Sequence, residues 1–342
     1  MSGAQENVVI RSGDCSVTLL PKLGGKIASI RVGSHELLQA PLHPCAPRTP
    51  TMSFAQSDAS GWDECLPSVA ACTLLTEAGP ASIPDHGDLW RIPWQILEAT
   101  RDSATLRVDG FSLPLQLTRT ILLVETPTGW RLQLLYSLAN RGACNIPWSW
   151  SAHPLFAVER GDRILLPEPV HGLRLEGSAG SRLGSHGDAV RWPLAHLADG
   201  STYDLSIAGC ADCGIGDKLF AGPINPADQA QAGRSLSGWA ALERSAIGLR
   251  LTVRFDPAIT PYLGLWLCYG GWPDGPGPRQ HCVALEPSTA PTDALSTTGS
   301  WSRRLAPGES VNWPMELNID RVATAQNLRA QNLLAQNKEP QP

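Results

Sequence analysis

The chain has 342 residues, 42% of them hydrophobic, and a net charge of −5, which allows a sizeable core in one or two domains. The charges are scattered without a Lys/Arg-rich run, so the composition disfavours nucleic acid and gives no reason to expect binding to an anionic membrane. The segment 1–7 lacks the pattern of a leader peptide, and no apolar run approaches the ~20 residues that span a bilayer. We therefore expect a soluble, cytoplasmic protein.

Period-two alternation of apolar and polar residues is the main secondary-structure signal. Strands are predicted at 15–20, 27–32, 104–108, 115–124, 130–138, 247–255, 262–269, 280–285 and 311–319. Many short strands with few credible helices, separated by 32 glycines and 29 prolines, predict an all-β sandwich or barrel. No linker interrupts them, so residues 1–320 are predicted to form one domain, and 321–342 a short helix or a disordered tail.

Nine cysteines are scattered along the chain, an odd count that is typical of a reducing compartment, where most serve as small core residues. Cys210 and Cys213 form a lone CxxC motif without a second pair or a matching histidine spacing. Neither zinc binding nor redox use is therefore expected of this motif. No metal or other cofactor is predicted for the protein.

Three short segments carry candidate chemistry. Glu286 follows the apolar run 283–285, and Pro287 is expected to end that strand. A carboxylate at this place is costly to bury unless it is hydrogen-bonded or functional. His153 precedes a proline, and His86 lies in a loop. Each also has a structural explanation, as an exposed strand end, a histidine within an aromatic core and a turn residue, respectively. Together they suggest acid/base chemistry on a small polar ring, without a metal.

Five motifs occur in order between residues 8 and 319 and give the sequence a specific resemblance. They are WDECLP at 62–67, PDHGDLW at 84–90, SAHPLF at 151–156, GDKLF at 216–220 and LEP at 285–287. Each is weak alone, but the ordered set resembles the aldose 1-epimerase (galactose mutarotase) family.

The resemblance implies a large antiparallel β-sandwich, sometimes called a supersandwich, with a sugar in an open cleft. It also implies roles for single residues, with Glu286 as general base and His153 as general acid. His86 and Asp217 would bind the sugar. Trp62, Asp63 and Glu64 are also expected to bind the sugar, because they stand where better-known members place a substrate-binding arginine. This chain lacks an arginine there; the nearest upstream is Arg48. The expected partner is a free sugar or a close derivative, bound by a monomer or homodimer.

Three other functions are also compatible with the sequence. A protein of the same fold could bind sugar without turning it over, and a phosphosugar epimerase would draw on scattered cations such as Lys218 and Arg91. A glycosidase would need two carboxylates, for which Glu286 with Asp63 or Glu64 is conceivable. Some of the 12 tryptophans could stack on a sugar, with Trp90, Trp266 and Trp272 as candidates.

Overall fold

Antiparallel strands dominate the structure, a computed structural model that describes residues 7–224, 236–295 and 301–322. Within these ranges there is no α-helix, only short 3₁₀ turns. In these ranges the larger sheet has eleven strands. Its order is β1 (Val8–Ser12), β2 (Cys15–Leu20), β3 (Lys26–Val32), β5 (Trp62–Cys65), β13 (Ser151–Ala157), β23 (His281–Ser288), β22 (Tyr262–Tyr269), β19 (Ile215–Ala221), β15 (Gly172–Ser178) and β16 (Ala189–Arg191), with β4 (His35–Glu36) paired to β3.

The second sheet has eight strands among the described residues. Its order is β14 (Arg163–Leu165), β20 (Gly238–Arg244), β21 (Leu249–Phe255), β25 (Ser310–Arg321), β11 (Gly129–Asn140), β10 (Leu115–Thr126), β9 (Ser103–Asp109) and β8 (Gln95–Ala99). Three two-stranded ribbons complete the described structure, namely β6 (Cys72–Thr76) with β7 (Gly79–Ile83), β12 (Ile146–Trp148) with β24 (Arg303–Leu305), and β17 (Leu194–His196) with β18 (Thr202–Asp204).

One hydrophobic core joins the two large sheets, as the alternating pattern requires. Leu265 and Leu285 of the larger sheet belong to the same buried cluster as Leu134 and Leu317 of the second sheet. Because side chains alternate along a strand, the neighbours of Leu285 on β23 point to the opposite face. That opposite face of the larger sheet carries Glu286 and the candidate site.

The all-β prediction is confirmed, and every predicted strand lies in or overlaps an observed one. The predicted effect of Pro287 was wrong. Pro287 does not end its strand, because β23 continues to Ser288 and pairs with β22 through Leu263. Proline is tolerated there because the ladder on the other side of β23, toward β13, is interrupted at this point. The single-domain assignment stays a prediction, and most of the predicted tail, 323–342, lies outside the described residues.

Candidate functional site

A cavity of about 260 Å³ opens on the face of the larger sheet that is turned away from the shared core. Strands β13, β19 and β22 supply His153, Lys218 and Trp266 to its lining. Loops supply the remaining lining residues, which are Ser53, Phe54, Ala55, Val69, Ala70, Asp85, His86, Trp272, Gln280 and Asp293. A volume slightly below the ~300–1,000 Å³ of pockets for drug-sized molecules suits a single small ring.

Strand pairing brings the two predicted catalytic residues together. Strands β13 and β23 pair at Ser151 with Ser288 and at Leu155 with Ala284, so His153 and Glu286 face each other midway between these pairs. The Nε2 atom of His153 lies 3.9 Å from Oε1 of Glu286. Prolines follow both residues in sequence and cannot donate to a ladder, which is consistent with the gap in pairing here.

Glu286 is fully buried and lies behind the cleft lining rather than in it. Its Oε2 atom accepts a hydrogen bond from Nζ of Lys218, whereas Oε1 has no hydrogen-bond partner. Burial raises the pKa of the Glu286 carboxyl, and the Lys218 ammonium opposes that rise. The unpartnered oxygen is therefore a costly buried acceptor that a ligand hydroxyl would satisfy.

A glycine makes room for the lysine. Gly264 on β22 pairs directly with Glu286, and a Cβ added there would lie 3.1 Å from Oε2 of Glu286. Lys218 stands on β19, the strand beyond β22, and its side chain reaches Glu286 near this place. The missing side chain thus leaves the space around the carboxylate open to an amino group from two strands away.

Lys218 also approaches a second carboxylate, because its Nζ atom lies 3.5 Å from Oδ1 of Asp293. The main chain of Asp293 is fixed on both sides: its carbonyl accepts from the amides of Val69 and Ala70, and its own amide donates to Glu176. Asp293 lines the cleft with about 20% of its side chain exposed. Asp293 is consequently a well-held polar group of the cleft.

The two histidines meet at one side of the cavity, with ring centroids 5.2 Å apart. Burial is the main reason that the pKa of His153 falls well below its usual value. His86 has a φ of 58°, and its ring stacks on Phe54 at 3.9 Å between centroids. Its Nδ1 atom lies 2.9 Å from Oδ2 of Asp85, which fixes the ring orientation.

The predicted sugar ligands Trp62, Asp63 and Glu64 do not line the cavity, and all three are buried. Glu64 points toward the second sheet, where it accepts hydrogen bonds from Arg119, Tyr136 and Trp150. Trp62 belongs to the hydrophobic core.

Asp63 lies on the cleft face of β5, directly opposite His153 on β13, but its Oδ2 atom accepts a hydrogen bond of 2.5 Å from Lys26. The same lysine lies 3.1 Å from Asp58, which also pairs with Arg48. The positive charge of Arg48 is thus already engaged, and its side chain is 1% exposed. This buried network supports the loop before β5 beside the cavity.

Asp217 also lies outside the cavity lining. Its side chain is fully buried, and Oδ1 accepts a hydrogen bond of 2.7 Å from Ser178 while Arg182 pairs with Oδ2. Alternation along β19 sends Lys218, the next residue, into the cavity instead. The sugar-binding role given to Asp217 therefore stays a prediction, without support from its position.

Sequence reasoning assigned no binding role to Lys218 beyond that of a phosphate candidate, and none to Phe54, Gln280 or Asp293. The carboxamide of Gln280 accepts from Nε1 of Trp266 and donates to the carbonyl of Ala59, which fixes the indole at the cavity. Strand alternation puts Asp217 and Lys218 on opposite faces, but the sequence carries no signal for which of the two faces the cavity. The loop residues carry no periodic pattern that would reveal them.

The CxxC motif forms a disulfide between Cys210 and Cys213, contrary to the expectation of free thiols. The turn brings the two Cα atoms to 5.4 Å, within the range that a disulfide bridges. With Asp212 these residues form the one cluster of possible metal ligands found in the described ranges. Both sulfurs are bonded to each other, so neither is available as the thiolate that zinc requires.

The sandwich has the fold of the galactose mutarotase-like proteins. No family model and no curated protein matches the sequence. Among solved structures, an aldose 1-epimerase candidate from Escherichia coli K12 is 18% identical, with a TM-score of 0.64 over 93% of this chain and 99% of the other.

Two further solved structures match nearly the whole chain with similar TM-scores. A galactose mutarotase-like protein from Lactobacillus casei ATCC 334 is 16% identical, with a TM-score of 0.59 over 92% of this chain and 100% of the other. The Slr1438 protein from Synechocystis sp. PCC 6803 is also 16% identical, with a TM-score of 0.66 over 93% and 97% of the two chains. At these identities the likeness establishes the fold.

In the described part of the chain, no helix has the length and apolar character needed to cross a membrane.

Proposed function

We propose that this protein is a divergent aldose 1-epimerase, which interconverts the α and β anomers of a sugar by opening and reclosing its ring. The observation that carries the proposal is the 3.9 Å approach of Glu286 Oε1 to His153 Nε2 beside a cavity of single-ring size. The two oxygens of a cyclic hemiacetal are bonded to the same carbon. An acid and a base that act on them must therefore be close neighbours, as these two groups are.

Glu286 acts as the base that removes the proton from the anomeric hydroxyl, and His153 as the acid that protonates the ring oxygen. The ring opens to the free aldehyde, the C1–C2 bond rotates, and closure with the proton transfers reversed gives the other anomer. For this cycle the pair must enter with one proton between its two members. Burial raises the pKa of Glu286 and lowers that of His153, which brings the two protonation equilibria closer together.

The proposal requires access to a carboxylate that is covered in this structure. Lys218 and His153 line the cavity, whereas Glu286 lies behind them. The Lys218 side chain has four rotatable bonds, so its terminal amino group can turn aside when a sugar hydroxyl approaches Oε1. The ligand hydroxyl would then satisfy the unpartnered oxygen.

Because Lys218 covers Glu286, a second candidate function is also supported, that of a sugar-binding protein without catalytic activity. A carboxylate that is both buried and paired with Lys218 is what a purely structural ion pair would look like. Aromatic residues and polar loops around the cavity would serve either function. Only the epimerase would accelerate anomer exchange, so a measurement of exchange distinguishes the two candidates.

The test is anomer exchange, measured by NMR saturation transfer on a panel of aldoses. The wild-type protein should accelerate exchange of at least one sugar beyond the buffer rate. Glu286→Gln, which keeps an oxygen for Lys218 but removes the base, should lower the rate by ~10²–10⁴-fold, and His153→Asn should have a similar effect. Glu98→Gln is the matched control, because Glu98 is exposed on β8 of the other sheet.

A sugar that binds without faster exchange would establish the non-catalytic candidate. A Glu286→Gln protein with full activity would exclude the mechanism. Circular dichroism of each variant shows whether lost exchange reflects lost folding.

A further inference from the structure

Negatively charged side chains outnumber positively charged ones around the cavity. Among the described residues, Asp85, Lys218 and Asp293 are the charged side chains of the lining, apart from the histidines. Glu286 contacts Lys218 from behind. Three carboxylates therefore accompany one ammonium, and one formal negative charge remains when the Glu286–His153 pair holds the single proton that the proposed cycle requires.

Nearby cations outside the lining do not offset this excess. Lys26 and Arg48 are matched by the carboxylates of Asp58 and Asp63. Arg91 is buried and directs its guanidinium to main-chain carbonyl groups, among them that of Asp85. None of these three cations lines the cavity. They stabilise its supporting loops instead of presenting positive charge to a ligand.

Lys218 is the one lining cation among the described residues, and its charge is already engaged. Its amino group donates to Oε2 of Glu286 and forms an ion pair with Asp293 at 3.5 Å. An anionic ligand would have to compete with both carboxylates for this amino group. It would also approach Asp85 and the exposed part of Asp293, which repel it.

We infer that the cleft selects uncharged aldoses over anionic ones, and that Asp293 is the specificity-determining residue. This inference rests on the proposed function. Asp293 acts in two ways: it neutralises Lys218 together with Glu286, and its carboxylate accepts a hydrogen bond from a sugar hydroxyl. Sugar phosphates and uronic acids are the classes that it disfavours.

Matched substrates test the selection directly. Exchange efficiency is measured for D-glucose, D-glucose 6-phosphate and D-glucuronic acid, and for D-galactose with D-galacturonic acid. The wild-type protein should favour each neutral sugar over its anionic counterpart by at least ~10-fold at low salt. Added salt should narrow this ratio, because it screens charges near the cavity mouth. Inorganic phosphate at millimolar concentration should not inhibit exchange of the neutral sugar.

The variant Asp293→Asn removes the charge and keeps the size of the side chain. It should raise the KM for neutral sugars and narrow the ratio of neutral to anionic sugar by ~10-fold. A residue with only a structural role would lower both efficiencies together and leave the ratio unchanged. Asp109→Asn on β9 of the second sheet is the control, since Asp109 is exposed and outside the cavity lining; it should leave the ratio unaltered.

Failure of the inference is distinguishable from failure of the proposed function. Exchange of an anionic sugar as fast as its neutral counterpart would overturn the inference and leave the function in place. If no sugar is exchanged, the function fails, and binding of the same pairs, followed by NMR shift changes, still tests the selection. In that case equal affinity for both members of each pair would overturn it.

Discussion

A buried ion pair between the two sheets offers a stringent test of the architecture. Arg119 on β10 donates to Glu64 on β5 at 2.8 Å, and both side chains are inaccessible to solvent. Replacing Arg119 with methionine keeps an unbranched apolar side chain and leaves Glu64 as an unpaired buried carboxylate. Removing one partner of such a pair typically costs about 3–5 kcal/mol of the free energy of unfolding. Tyr136 and Trp150 still donate to Glu64, which places the expected loss near the lower limit, about 3 kcal/mol.

The loss should depend on pH. Burial already raises the pKa of Glu64, and removal of Arg119 raises it further. A carboxyl group whose pKa is higher in the folded state destabilises that state increasingly as pH rises above its unfolded value. The penalty should therefore be full near pH 8 and smaller near pH 4, where the folded protein holds the proton.

Urea unfolding followed by tryptophan fluorescence measures the effect. The double variant Arg119→Met with Glu64→Gln removes the unpaired charge but keeps an acceptor for Tyr136, so it should recover more than half of the lost stability. A single variant within about 1 kcal/mol of wild type, or a loss of equal size at both pH values, would contradict the reasoning.

Two more predictions concern the cavity. Lys218→Met removes a cation that lowers the pKa of both Glu286 and His153, so the pH profile of anomer exchange should move to higher pH as a whole. An unchanged profile, or a shift to lower pH, would argue against contact between Lys218 and the catalytic pair. Trp272→Ala removes an aromatic part of the lining and should raise the KM for sugar about 2- to 10-fold with little change in kcat. A fall in kcat alone would exclude a binding role for this indole.

The sandwich could be predicted from the sequence because a half-buried strand has alternating apolar and polar residues. The strand 130–138 shows this signal in its residues and is buried on alternate positions in the structure. Strands β13 and β19 were not predicted, because nearly all their residues are buried and period two is lost. His153 and Lys218 of the site lie on these two strands, whereas loops supply most of the cavity lining. The candidate residues of the site could be recognised from motifs, but their facing directions could not.

The predicted site residues differ in whether their side chains point to the cavity face of the larger sheet or to its opposite face. His153 and Glu286 lie opposite each other on adjacent strands, which is the arrangement that their proposed joint role requires. Asp217 and Lys218 are consecutive, and a shift of one residue exchanges the cavity for the buried side of the sheet. No periodic signal within GDKLF tells which residue faces the cavity, because all seven residues of β19 are buried.

The lysine that the cavity receives in place of Asp217 changes what Glu286 can do. A carboxylate buried alone would favour its protonated form and would be a poor base near neutral pH. Lys218 counters this effect by stabilising the ionised form, and Gly264 leaves the space in which the two groups meet. The same ammonium covers the carboxylate, so it both favours the ionised form of the proposed base and obstructs access to it. Exchange rates of Lys218→Met and Glu286→Gln proteins, measured side by side, will show which of these two effects is larger.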